Sequence, residues 1–188
     1  VEESSEGDQD AIDSDDKELI RDNLGKAAAA FNPELAQKKN TKKLRKTAEV
    51  LDSDESNEEA LKDIEASISL VSSAGKVGVV GYCWGGSLAW RIADQSNELS
   101  GCVSYYGGDI PKLKDCNPKC NFLSHFGELD QSIPIEDVKS FKQFKPEVEI
   151  FTYPAHHGFN CNHRKQYNEV SARVALDRTI KFFENNLN

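Results

Sequence analysis

The chain of 188 residues contains no methionine, not even at position 1, and so reads as a processed or partial product. It has no apolar run near the ~20 residues that a helix needs to cross a bilayer. Its opening is acidic rather than basic and then apolar, unlike a secretory leader. A cytoplasmic protein with no membrane partner is the expectation. Basic residues are absent from positions 1–16, which carry eight acidic side chains, and the rest of the chain holds 24 acids against 23 bases. The formal charge of -9 therefore belongs to one end, expected to be a solvated, disordered tail. Without a basic footprint there is no case for a nucleic-acid partner. Cysteines number five, an odd count that argues against a complete disulfide framework.

What is present divides near Gly75. Residues 17–75 read as a helical segment. One or two helices are expected over 17–50, interrupted at Asn32-Pro33. Another is expected to be capped by Asn57, with Leu61, Ile64, Ile68 and Val71 along one face. From 76 to 188 the pattern alternates. Lys76–Val80, Leu99–Tyr106, Asn121–Phe126 and Val148–Tyr153 are strand candidates, and Trp84–Asp94 and Pro134–Phe144 are helix candidates. A final helix is expected to run through Tyr167, Val170, Val174, Leu176, Ile180, Phe183 and Leu187. Continuous apolar strands separated by helices predict a mainly parallel α/β sheet flanked by helices.

Between the first strand and helix candidates stands Gly81-Tyr82-Cys83-Trp84-Gly85-Gly86. A nucleophile flanked by glycines at a strand-to-helix turn is pushed into an exposed, strained position. A thiol at a helix N-terminus also has its thiolate favoured by the amide dipoles. Cys83 is therefore a candidate nucleophile, against the alternative of a small buried core residue. Its acid and histidine should follow in that order. Asp130 leads for the acid, with Glu128 a rival in the same loop beyond the third strand. His156 and His157 lie just beyond the last strand, whereas His125 falls inside a strand and His163 in a polar stretch. Cys116-x3-Cys120, with His125 near and Cys161-x-His163 later, raises a zinc possibility. No second tight cysteine pair supports it, and neither metal nor organic cofactor is expected.

The segments KVGVVGYCWGG, HFGELDQSIP and YPAHHGFNCNHR, with the helix ALDRTIKFFENNL after them, resemble the dienelactone hydrolase family from about residue 56 to the C-terminus. The resemblance implies an α/β-hydrolase fold and a catalytic triad of Cys83, Asp130 and His157, the histidine being the one directly before Gly158-Phe159. It also implies an oxyanion donor in the backbone N–H of Trp84 and hydrolysis of a small-molecule ester or lactone. Strands that such a protein carries before this region have no candidate among residues 1–75. The N-terminal part of the sheet is thus expected to be missing, with the nucleophile strand at an edge that a partner or missing segment would cover. At the position of one of the family's substrate arginines stands Cys161, with Arg164 the nearest base. The alternative to an enzyme is a non-catalytic interaction protein on a degenerate hydrolase scaffold.

Overall fold

Short β-branched runs separated by helices leave few topologies open, and the structure adopts the simplest of them. The structure of the protein, a computed structural model, describes residues 54–188. The acidic stretch 1–16 and the helices expected over 17–50 lie outside these residues. Helix α1 (Asp54–Val71) leads through a 3-10 turn (Ser72–Ala74) into β1 (Val77–Tyr82) and α2 (Trp84–Gln95). Then follow β2 (Leu99–Tyr105), β3 (Asn121–Gly127), α3 (Ile135–Phe144), β4 (Glu149–Tyr153) and α4 (Glu169–Leu187). The strands form one parallel sheet in the order β1-β2-β3-β4. Among the described residues β1 has only β2 as a neighbour. All four C-terminal ends, Tyr82, Tyr105, Gly127 and Tyr153, point to the same edge, where open α/β sheets place their ligands.

The two faces are covered by different means. On one face α2 packs through Leu88, Trp90, Ile92 and Ala93, all buried. Trp90 sets its ring edge-on to Phe122 and Phe141, at centroid distances of 4.8 and 5.4 Å, and its indole N–H donates to the Leu113 carbonyl at 3.0 Å. Full burial of one such apolar side chain contributes about 1.5–3 kcal/mol, so this cluster holds α2 and with it the turn at its start. On the other face lies α4, opened by Asn168, whose side chain accepts the Ser171 N–H at 3.0 Å.

The face that α4 buries matches the expected one only toward its C-terminal end. Ile180 is buried and Phe183 packs against the core as expected, but the rest of the buried stripe is Ala172, Ala175, Thr179 and Phe182, whereas Val170 and Val174 are exposed and Tyr167 precedes the helix. Close packing is the reason, since a Cβ at Gly101 would stand 2.9 Å from the Phe182 ring. A helix lying that near the sheet needs small residues along most of its contact stripe. Between these layers a polar chain is buried: His125 shares hydrogen bonds with the Tyr153 hydroxyl at 2.8 Å and Thr179 Oγ1 at 3.0 Å, and Tyr105 meets Thr179 at 2.7 Å. Burial drives the His125 pKa down to about 3, with the Arg178 charge adding to the effect, so the ring is neutral and structural.

Helix α1 also corrects an expectation. It begins at Asp54, so Asn57 lies inside it rather than capping it. Leu61 and Ile68 are buried as expected, but Val71 is 49% exposed, because the chain turns away into the 3-10 turn.

Candidate functional site

The turn from β1 into α2 forces an unusual backbone at one residue. Cys83 has φ 55° and ψ -120°, a strained conformation for a residue carrying a Cβ. The turn is held from both sides. The Cys83 N–H donates to the Tyr105 carbonyl at 2.9 Å, while the Cys83 carbonyl accepts from Gly86 and Ser87 at 2.9 and 3.2 Å. Two glycines are sterically required. A Cβ at Gly81 would lie 1.9 Å from the Gly85 carbonyl oxygen, and one at Gly86 would lie 2.5 Å from Ser104 Oγ and 2.9 Å from the Tyr105 oxygen. Around Gly85 there is open space, so the spacing G-x-C-x-G marks the elbow although its second glycine is not the one the packing demands.

Loops from two further strand ends close on this thiol. After β3, Asp130 is buried, and its Oδ1 accepts the backbone N–H groups of Ser132 at 2.8 Å and Ile133 at 3.2 Å. Its Oδ2 lies 2.6 Å from His157 Nδ1. After β4, His157 turns its Nε2 to 3.2 Å from Cys83 Sγ. The three side chains thus form one continuous relay. Glu128, the rival acid, is exposed and accepts the Thr152 hydroxyl at 2.8 Å, while His156 is exposed with Nδ1 at 2.9 Å from the Leu129 carbonyl.

The electrostatics follow this geometry. For His157, burial by itself disfavours the charged ring, but hydrogen bonds to Asp130 and Cys83 outweigh it and lift the pKa to about 9. The Cys83 thiol is held below its ordinary value, first by the hydrogen bond to His157 and against the opposing cost of burial. The Trp84 N–H bonded to the sulfur and the Arg164 charge act in the same sense. Opposite shifts in two touching groups favour a thiolate–imidazolium pair.

Two contributors, Asn57 as a partner of Trp84 and Tyr106, are not evident from sequence, and the third, Arg164, is the base nearest Cys161 along the chain. Asn57, 4% exposed, accepts the Trp84 indole N–H at 2.8 Å. Tyr106 has φ 42° and sets its ring 4.9 Å from that of His157; a bulky residue at positive φ cannot be read from composition. Arg164 packs over Gly158, where a Cβ would meet its Cδ at 3.2 Å. The suggested zinc ligands are not brought together. His125 is committed to Tyr153 and Thr179, and among the described residues no group of three or more His, Cys, Asp and Glu side chains could hold a metal ion. No described helix is long and apolar enough to cross a membrane.

A parallel sheet with a thiol elbow and a histidine and carboxylate on later loops defines the α/β-hydrolase class. The sequence model of the dienelactone hydrolase family matches residues 12–187, and the chain belongs to that family. The match begins ahead of residue 56, where the motif resemblance starts. A candidate carboxymethylenebutenolidase from Salmonella typhimurium is 31% identical over 120 residues, 56% of this chain and 44% of the relative. Another, from Saccharolobus solfataricus, is 30% identical over 148 residues, 73% and 57% of the two chains. The chain thus spans about half the length of the curated relatives it matches. Among solved structures, a candidate dienelactone hydrolase from Klebsiella pneumoniae superposes with a TM-score of 0.61 at 27% identity, covering 68% of this chain and 61% of that one. A Pyrococcus furiosus esterase, at 15% identity and a TM-score of 0.55 over 68% and 62% of the chains, shares the fold.

Proposed function

We propose that the protein hydrolyses carboxylic esters or lactones through Cys83, His157 and Asp130. The observation that carries the reading is the unbroken relay from a buried carboxylate through imidazole to a thiol held at positive φ at a helix N-terminus. The thiolate attacks the carbonyl carbon, and the developing oxyanion is held by the Trp84 backbone N–H. Collapse of the tetrahedral intermediate breaks the ester C–O bond, and His157 Nε2 delivers its proton to the leaving alkoxide. His157 then takes a proton from water, whose oxygen attacks the thioester. The second collapse expels the Cys83 thiolate and releases the acid. Asp130 keeps the Nδ1 proton in place throughout and stabilises the imidazolium, without itself being protonated.

The reading is tested by following p-nitrophenyl acetate hydrolysis with and without Cys83→Ala. A burst of p-nitrophenol, stoichiometric with protein and absent from the variant, is expected. Equal rates for the two proteins remove Cys83 from the chemistry and favour a binding role for the scaffold.

A further inference from the structure

At the end of the sheet away from the triad, a pair of thiols meets. Cys102 Sγ in β2 and Cys120 Sγ, just before β3, are 3.6 Å apart. We propose that Cys102 and Cys120 form a reversible redox site, closing to a disulfide when a hydroperoxide reaches Cys120.

The sheet puts the two sulfurs on the same face. In the β2–β3 register Gly101 lies opposite Asn121 and Cys102 opposite Phe122. Side chains alternate between faces along a strand. Asn121 bonds Asn186 on the α4 side, while Phe122 packs against Trp90 on the α2 side. Cys102 and Cys120 therefore share the α2 side. Cys102 is fully buried, and Cys120 is partly exposed in a surface groove with Ser100, Asn117 and Lys119. One thiol is reachable and the other resolves it. A disulfide needs an S–S separation of about 2.05 Å, so the sulfurs must close by roughly 1.5 Å. Cys120 stands outside the strand ladder, so the closing movement breaks no pairing between β2 and β3.

The chemistry balances with one peroxide. Cys120 thiolate attacks a peroxide oxygen, the O–O bond breaks, hydroxide or alkoxide leaves, and the sulfur becomes a sulfenic acid. Cys102 sulfur attacks the sulfenic sulfur, and the departing hydroxide leaves as water with the Cys102 proton. The two thiols are oxidised by two electrons and the peroxide is reduced; a dithiol reverses the change by exchange. The hydrogen bond between the two and the burial of Cys102 hold its proton on, while the same bond lowers the Cys120 thiol pKa, which suits Cys120 to strike first. The closed ring, residues 102–120, spans the segment that straps α2. Within it Asp109 N–H bonds Ser87 Oγ at 3.0 Å, the Leu113 carbonyl takes the Trp90 indole, and Lys119 N–H bonds the Ala93 carbonyl at 2.7 Å. Oxidation would tether that strap and restrict it in the unfolded chain as well.

The test uses the full chain carrying Cys83→Ala, to remove the competing thiol, with and without Cys120→Ser. After treatment with hydrogen peroxide and blocking of remaining thiols, the protein is digested without reductant and its peptides are mapped. A Cys102–Cys120 peptide that dithiothreitol abolishes is expected, with two thiols lost per chain and a Tm several degrees higher than the reduced form. Cys120→Ser should show neither the cross-link nor the rise. The proposal is overturned if Cys120 is carried to sulfinic acid while Cys102 stays free, or if the link runs to Cys116 or Cys161. It is equally overturned if the pair stays reduced at peroxide levels that oxidise Cys83 in the unsubstituted chain.

Discussion

Asn57 accepts the indole N–H of Trp84 at 2.8 Å, so helix α1 fixes the side chain of the residue whose backbone N–H faces the Cys83 sulfur. Replacing Asn57 by Leu removes the acceptor and strands the indole N–H, at a cost of about 1–3 kcal/mol. The expected result is a lower urea midpoint together with a fall in kcat for ester hydrolysis. Asn57→Gln, which can restore an acceptor, should recover part of both.

The hydrogen bond from His157 is the leading cause of the lowered Cys83 pKa. Iodoacetamide should therefore alkylate Cys83 with a pH midpoint below the ~8.5 of a free thiol, and faster at pH 7 than any other cysteine in the chain. His157→Ala should move that midpoint upward. A midpoint unchanged by this substitution would show that His157 does not support the thiolate.

Asp130→Asn keeps an oxygen for the Ser132 and Ile133 N–H groups but offers an N–H to the imidazole. The ring then loses its partner for Nδ1–H, and kcat should fall by about 10³-fold or more, with the fold retained by circular dichroism. In a Cys83→Ala background Asp130 is the support left to the His157 imidazolium against the cost of burial. Adding Asp130→Asn removes that support and lowers the folded pKa of the ring, so stability is lost at the acidic end of the range and not at the alkaline end. Urea midpoints measured from pH 6 to 9.5 should therefore fall less steeply with rising pH in the double variant than in Cys83→Ala.

The elbow glycines should separate sharply. Gly86→Ala and Gly81→Ala place a Cβ against backbone at 2.9 and 1.9 Å and should cost more than about 2 kcal/mol. Gly85 begins a helix with open space around it. Its replacement by Ala should be neutral or raise stability by about 0.5–1 kcal/mol, as thermal melts would show.

Much of this arrangement is legible in the sequence because buried parallel strands are continuous apolar runs and loops carry their chemistry in short, distinctive groups. The four strands fall within about two residues of their expected bounds, and Cys83, Asp130 and His157 meet in the structure as their order along the chain anticipates. What escaped reading depends on contacts distant in sequence. Beside the anticipated Ile180, the buried stripe of α4 is built from Ala172, Ala175 and Thr179, which periodicity of large apolar residues overlooks in favour of Val170 and Val174. Asn57 looks like a cap until Trp84, 27 residues on, is placed beside it. Tyr106 gives no local sign of its positive φ.

The relay draws its members from the ends of three strands, and its partners are separated by 27 and 74 residues along the chain. Contacts of such long range are slow to form, because loop closure must precede them. No isolated hairpin or helix of this protein can therefore present the activated thiol; it exists only once β1, β3 and β4 are side by side through β2. Cys83 is thus a built-in gauge of the completed sheet, and the fraction of chains alkylated rapidly at neutral pH would count correctly assembled molecules in a refolding mixture, including any that helix content alone would misjudge as native.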